Sequence, residues 1–212
     1  MSDWAFYKTP KIIQKLFPDL NWKVNTNAKV IYPTFDDGPI PELTHEILNI
    51  LKDFDAKATF FCVGENIKKH PKIFQSIIHN EHSVGNHTFN HLKAWTTSHD
   101  EYLNNVELCQ REIEKHTTQG KKLFRFPYGQ FNLKLAKRLK KENYELIMWD
   151  VLSKDYKTSI SSNRILEKSI EKSENGSIIV FHDNIKAKDK ILQFLPLYLE
   201  HFSDIGYKFK KL

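Results

Sequence analysis

The chain has 212 residues, enough for one well-buried α/β core and too few for two comfortable domains. Its composition, 40% hydrophobic and 27% charged, is that of a globular protein, and no run approaches the roughly 18 continuous apolar residues that a membrane span needs. The net charge of +6 would draw an anionic polymer, but the basic runs KRLKKE (137–142) and KFKK (208–211) carry no interleaved aromatics and no nucleic-acid motif, so they read as solvated surface and no nucleic-acid partner is expected.

The first 28 residues are rich in Trp, Phe and Pro and contain neither an uninterrupted apolar stretch nor a small-residue cleavage site. They predict no signal peptide, a cytoplasmic location by default, and a leader (1–28) that packs on a domain spanning 29–212. From there apolar runs alternate with helical patterns, and strands are expected near 30–35, 58–63, 82–86, 123–126, 145–151, 177–181 and 206–210. The intervening segments repeat at helical spacing, as in Leu43, Ile47, Ile50 or Leu51 and Phe54, or Ile73, Ile77 and Ile78. Such alternation predicts an α/β fold with about seven mostly parallel strands. Cys62 and Cys109 are too few for a disulfide framework, and Cys62 inside TFFCVG reads as a buried, inert thiol.

Polar clusters follow several of these strands: Asp36-Asp37, NHTFNH (86–91), RFPYG (125–129), WDVLSKDY (149–156) and FHD (181–183). All fall at C-terminal strand ends, the edge on which the loops of a parallel α/β fold converge. Successive residues of a strand point to opposite faces, so Asp36 and Asp37 can share a pocket only if the strand stops, as Gly38-Pro39 suggests. Adjacent acids repel unless a cation lies between them or one is needed as a base. His87 and His91, four residues apart, reach one ion from a helical turn or a tight loop, and two His with one carboxylate form a catalytic zinc shell with an open position. His45 in HEILN and the pair His79 and His82 lack the partners of a metal motif and read as structural. No G-x-S-x-G elbow, P-loop, G-x-G-x-x-G or C-x-x-C occurs, which leaves a metal-activated water as the chemistry.

From about Val30 to the C-terminus these motifs, in order, resemble those of the polysaccharide deacetylases with a NodB homology domain, carbohydrate esterase family 4. The resemblance implies a distorted, incomplete (β/α) barrel. TFDDGP resembles the first motif, which implies Asp36 as general base and Asp37 as metal ligand, and HTFNH implies His87 and His91 as the other ligands of one divalent ion, zinc by its donor set. RFPYG implies Arg125 as the residue that orients the base and Tyr128 as the source of an oxyanion-binding backbone N–H. VLSKDY implies Asp155 as a buttressing acid, with Asp150 as its rival and Tyr156 at the substrate groove; IVFHD implies His182 as general acid. Leu152, Tyr156 and Phe126 depart from the usual Asp, Trp and Pro, the first two in the groove wall. The resemblance implies a hydrolase that removes N-acetyl or O-acetyl groups from a chitin-like or peptidoglycan glycan, acting as a monomer. An amide or cyclic-imide hydrolase on the same fold and a non-catalytic carbohydrate-binding protein are the alternatives; intact Asp36, Arg125 and His182 argue against the last. Trp95 and Tyr156 read either as sugar-stacking rings or as plain packing.

Overall fold

The computed structural model describes residues 6–212; residues 1–5 of the expected leader lie outside the described residues. The elements in chain order are α1 (Lys11–Leu16), β1 (Val30–Asp36), α2 (Leu43–Asp53), β2 (Thr59–Cys62), α3 (Gly64–Lys69), α4 (Pro71–His79), β3 (Ser83–Asn86), α5 (His99–Glu114), β4 (Lys122–Phe124), α6 (Leu133–Lys141), β5 (Tyr144–Leu146), β6 (Val151–Leu152), α7 (Ser162–Lys172), β7 (Ile178–His182), α8 (Lys188–Asp204) and β8 (Lys208–Phe209). One curled sheet runs β5-β4-β3-β2-β1-β7-β6, every pair parallel, and β8 joins beside the start of β1.

Strand alternation divides the side chains between two environments. On the outer face Phe35, Phe60 and Phe181 stack under the helices, with Phe35 and Phe60 ring centroids 4.9 Å apart and Phe181 5.5 Å from Tyr198 of α8. Each such fully buried ring contributes about 1.5–3 kcal/mol. On the inner face Phe61, Leu123, Ile147 and Ile178 form an apolar cluster. On the same face β1 directs Thr34 and Asp36, and β7 directs Val180 and His182, which is in register with Asp36. Both cysteines are buried as free thiols.

The expected single strand at 145–151 is two strands at opposite edges of the sheet. The segment YELIMWDVL is largely apolar throughout, but the backbone changes partners within it: Ile147 N–H donates to Phe124 O of β4, and Asp150 N–H donates to Ile178 O of β7. Between those bonds the chain crosses the gap where the barrel fails to close. The leader covers that gap. Asn21 N–H donates to Leu146 O (2.8 Å) and Met148 N–H to Asn21 O (2.7 Å), while Thr9 N–H donates to Asp150 O (2.8 Å) and Leu152 N–H to Tyr7 O (2.9 Å). Both open edges thereby gain partners for backbone groups that would otherwise be bare.

The leader is also tied by charge. Asp150 is fully buried and accepts from Lys8 Nζ (2.7 Å), Ser177 Oγ (3.0 Å) and Ile178 N–H (2.9 Å). Lys23 and Lys8 both reach the exposed Glu174. Asp150→Ala should therefore cost about 2–4 kcal/mol, because it takes their Asp150 acceptor from the buried Ser177 hydroxyl and Ile178 N–H and removes the buried partner of Lys8, whereas Lys23→Ala should cost at most about 1 kcal/mol. Urea unfolding of the two variants checks this; equal losses would mean that Asp150 does not hold the leader.

Candidate active site

Asp36 closes β1 on the inner face, and the chain turns immediately after it. Asp37 has φ of 90°, a left-handed conformation that breaks strand alternation and brings its carboxylate to the same side as that of Asp36. The His87 Nε2 atom accordingly lies 3.9 Å from Asp36 Oδ2 and 3.7 Å from Asp37 Oδ1. Gly38 is required next. Its N–H donates to Asp183 Oδ1 (2.8 Å), and a Cβ there would stand 1.8 Å from Asp183 Oδ2. The Asp37 carbonyl accepts from Asn66 Nδ2 (2.8 Å) and its Oδ2 from Asn184 Nδ2 (2.6 Å).

His87 and His91 flank a tight loop after β3 rather than a helical turn, with Thr88 and His91 at φ of 62° and 55°. Two asparagines hold that loop: Asn86 Oδ1 accepts from Thr88 N–H, and Asn105 Oδ1, from α5, accepts from Phe89 and Asn90 N–H. His87 Nδ1 is 2.9 Å from the Arg125 carbonyl, which can only accept, so that nitrogen carries the proton and Nε2 presents a lone pair. Burial lowers the His87 pKa to about 4, against the pull of Asp36, and keeps the ring neutral. His91 Nε2 is 3.1 Å from Asp37 Oδ1. Burial opposes ionisation of Asp37, but the His91 hydrogen bond and the surrounding imidazoles hold its carboxyl well below the usual range. One oxygen of Asp37 and one nitrogen of each histidine lie within 4.8 Å of one another. A carboxylate and two imidazoles around one point fit a divalent ion of borderline softness.

Arg125 is fully buried behind Asp36. One terminal nitrogen donates to both Asp36 Oδ1 and Thr34 Oγ1 (2.7 Å each), Nε donates to Ile147 O (3.2 Å), and the other terminal nitrogen to Met148 O (2.9 Å). The guanidinium carbon stands 4.1 Å over the Phe61 ring. A second pair faces it. His182 Nδ1 is 2.7 Å from Asp155 Oδ1, and Asp155 Oδ2 accepts the His182 backbone N–H at 2.8 Å. Burial disfavours a charged imidazole here, but the Asp155 carboxylate overrides it and raises the His182 pKa to about 9. Asp155, not Asp150, is therefore the acid in contact with His182; Asp150 faces Lys8 and the leader.

These groups share one cavity of about 430 Å³, whose wall includes Asp36, Asp37, His87, His91, Tyr128, Tyr156 and His182, with Trp149, Leu152 and Ile185 supplying apolar surface. Arg125 and Asp155 lie just behind it. Tyr128 sits at φ of 60° in the turn after β4, its ring 4.4 Å from that of His91. Tyr156 meets the His182 ring edge-on at 4.9 Å. Trp95 is 68% exposed, pinned by its indole N–H to Phe131 O, and does not line the cavity. His45 and His79 are exposed, and His82 accepts the Ala58 N–H in the core. Asp183, Asn184, Asn66 and Asn105 were not foreseen. The only trace of the first two is that the polar tail of β7 runs on as His-Asp-Asn.

The polysaccharide deacetylase family model matches residues 23–147. That span holds the Asp36-Asp37, His87, His91 and Arg125 clusters, whereas Asp155 and His182 lie beyond it and are placed by the geometry above. A peptidoglycan-N-acetylglucosamine deacetylase of Bacillus cereus is 30% identical over 90% of this chain and 89% of its own. A crystal structure of a peptidoglycan N-acetylglucosamine deacetylase superposes with a TM-score of 0.89 at 28% identity, covering 96% of this chain and 95% of the other. A pseudoenzyme of carbohydrate esterase family 4 from Bacillus anthracis superposes with a TM-score of 0.82 at 27% identity, covering 90% of this chain and 66% of the other. The fold thus accommodates a pseudoenzyme, and in this chain Asp36 is paired with Arg125 and His182 with Asp155. With the sheet, the Asp37–His87–His91 cluster and the family match in agreement, the chain belongs to the polysaccharide deacetylases of carbohydrate esterase family 4.

Proposed function

We propose that the protein is a zinc-dependent deacetylase that hydrolyses the acetamide of N-acetylglucosamine units in a peptidoglycan-type glycan. The observation that carries this reading is the placement of two buried ion pairs, Asp36 with Arg125 and His182 with Asp155, in the wall of one cavity around Asp37, His87 and His91. The substrate class is supported by the names of the similar proteins, which act on peptidoglycan N-acetylglucosamine. Every group comes from one chain, which supports a monomeric working unit.

Asp37, His87 and His91 would hold the zinc, which when bound supplies Lewis-acid polarisation of the acetyl carbonyl and lowers the pKa of water near it. Asp36, oriented by the short hydrogen bond from Arg125, takes a proton from the water that attacks the carbonyl carbon. The oxygen of the adduct gains negative charge, and the Tyr128 backbone N–H, in the cavity wall, donates to it. His182 has its Nδ1 proton on Asp155, which leaves Nε2–H as the acid. That proton goes to the amide nitrogen as the C–N bond breaks, giving acetate and a free amino sugar. An imidazole with a pKa of about 9 remains charged at neutral pH and can perform this transfer.

Acetate release from peptidoglycan and from chitin oligosaccharides, against simple amides and cyclic imides as controls, tests the reaction and its substrate. Turnover of the imide alone would overturn the glycan reading. Asp36→Asn should keep the metal and lose about 10²- to 10⁴-fold in rate, whereas Asp37→Asn should lose the metal itself. Elemental analysis of the purified variants separates these; equal metal loss in both would overturn the division of roles.

The His182–Asp155 pair also makes a prediction for metal-free protein. The folded pKa of His182, about 9, lies above its usual 6.5, so the pair's contribution to stability is complete below the lower value and is lost as pH rises through the higher one. Asp155→Asn removes that contribution. The urea midpoints of chelator-treated wild type and Asp155→Asn should differ most near pH 6 and converge by about pH 10. A difference independent of pH would mean that His182 is not charged by Asp155.

A further inference from the structure

The two oxygens of the Asp37 carboxylate have separate partners. Oδ1 faces His91 and His87 Nε2, at 3.1 and 3.7 Å. Oδ2 accepts from Asn184 Nδ2 at 2.6 Å. The orientation of the Asn184 amide is settled by its other end, since its Oδ1 accepts the Ala187 N–H (3.0 Å) just before α8 and so only the NH₂ group is left for Asp37. This meeting follows from register. Asp36 is opposite His182 in the parallel β1–β7 pair, and Asp183 N–H donates to Asp36 O (3.0 Å), so the two chains leave the sheet side by side and Asn184 arrives beside Asp37.

We propose that Asn184 makes Asp37 a one-oxygen ligand and thereby biases the site toward zinc and against calcium. Calcium takes six to eight oxygen ligands and commonly engages both oxygens of a carboxylate. To supply both, Asp37 would have to turn Oδ2 away from Asn184 and give up a short, charge-assisted hydrogen bond. Zinc, with four ligands that include imidazole nitrogen, is served by Oδ1 and the two histidines as they stand. Asn184 is thus a positioning residue that acts through Asp37. The inference rests on the metal site of the proposed function.

The test uses the full chain stripped with a chelator, with Zn²⁺ and Ca²⁺ affinities measured by competition against a chromophoric chelator. Asn184→Asp keeps an oxygen for the Ala187 N–H but replaces the donor to Asp37 with a second acceptor, and the preference for zinc over calcium should fall about 10- to 100-fold. Asn184→Ala should lower zinc affinity by about 10- to 100-fold without a matching loss for calcium. An unchanged zinc-to-calcium ratio in both variants overturns the proposal, as does a parallel loss of both metals, the mark of a loop merely loosened. Wild-type protein that bound no zinc would overturn this proposal and the metal reading together, whereas normal wild-type binding with an unaltered ratio in the variants overturns this proposal alone.

Discussion

A guanidinium taken wholly out of water must find acceptors for its donors, because its charge cannot be surrendered. Arg125 is fully buried in the barrel, and the way its donors are satisfied ties the molecule together. Thr34 and Asp36 belong to the central strand β1, whereas the Ile147 and Met148 carbonyls belong to the segment that crosses from one edge of the sheet to the other. A single side chain therefore pins the open side of the barrel to its middle. The same fork holds Asp36 in the cavity wall, and the Arg125 carbonyl accepts from His87, setting that ring's tautomer. The orientation of Asp36 and closure of the fold rest on one residue, so removal of Arg125 would loosen both together.

The adjacent acids Asp36 and Asp37 are brought to one place by a turn that strand geometry alone would forbid. Left-handed φ at Asp37 cancels the alternation, and the buried Asp183 carboxylate fills the space that any side chain at position 38 would need. Burial pushes the pKa of Asp183 up to about 8, against its hydrogen bonds from Thr44 and Gly38. A neutral Asp183 spares the Asp36-Asp37 turn a third negative charge while still accepting the Gly38 N–H.

Much of this was legible in the sequence because strand ends and chemistry coincide. Asp36, His87, Arg125, Asp155 and His182 each follow an apolar run closely enough for the run to mark where the side chain emerges. What escaped depends on which strands are neighbours. The segment 145–151 reads as one strand because periodicity reports burial and not the pairing partner, and both partners of its two ends are buried parallel strands. Asn184 and Asp183 matter only because β7 lies beside β1 in a register that puts His182 opposite Asp36. Asn105 acts on the His87–His91 loop from the middle of α5, where an asparagine in a helix carries no signal of its own. Asp150 and Asp155 were indistinguishable as rivals, both being acids next to β6. The leader, which takes Asp150 for Lys8, is what separates them.

The two ion pairs of the cavity are arranged in the same way with opposite sign. In each, the group that would exchange a proton faces the cavity, Asp36 in one and His182 in the other, and its ion-pair partner, Arg125 or Asp155, is fully buried behind it. Each pair is nearly neutral, which limits the cost of burying it, yet each presents a single charge to the substrate. A carboxylate oriented by a guanidinium and an imidazole kept protonated by a carboxylate suit a base and an acid acting in one turnover, and the two partners do this without entering the cavity. The remaining wall is then free to vary. Leu152 stands where the family pattern has an acid, and because the hydrogen bond to His182 Nδ1 comes from Asp155, an apolar side chain at position 152 changes the shape of the cavity wall while leaving that hydrogen bond intact.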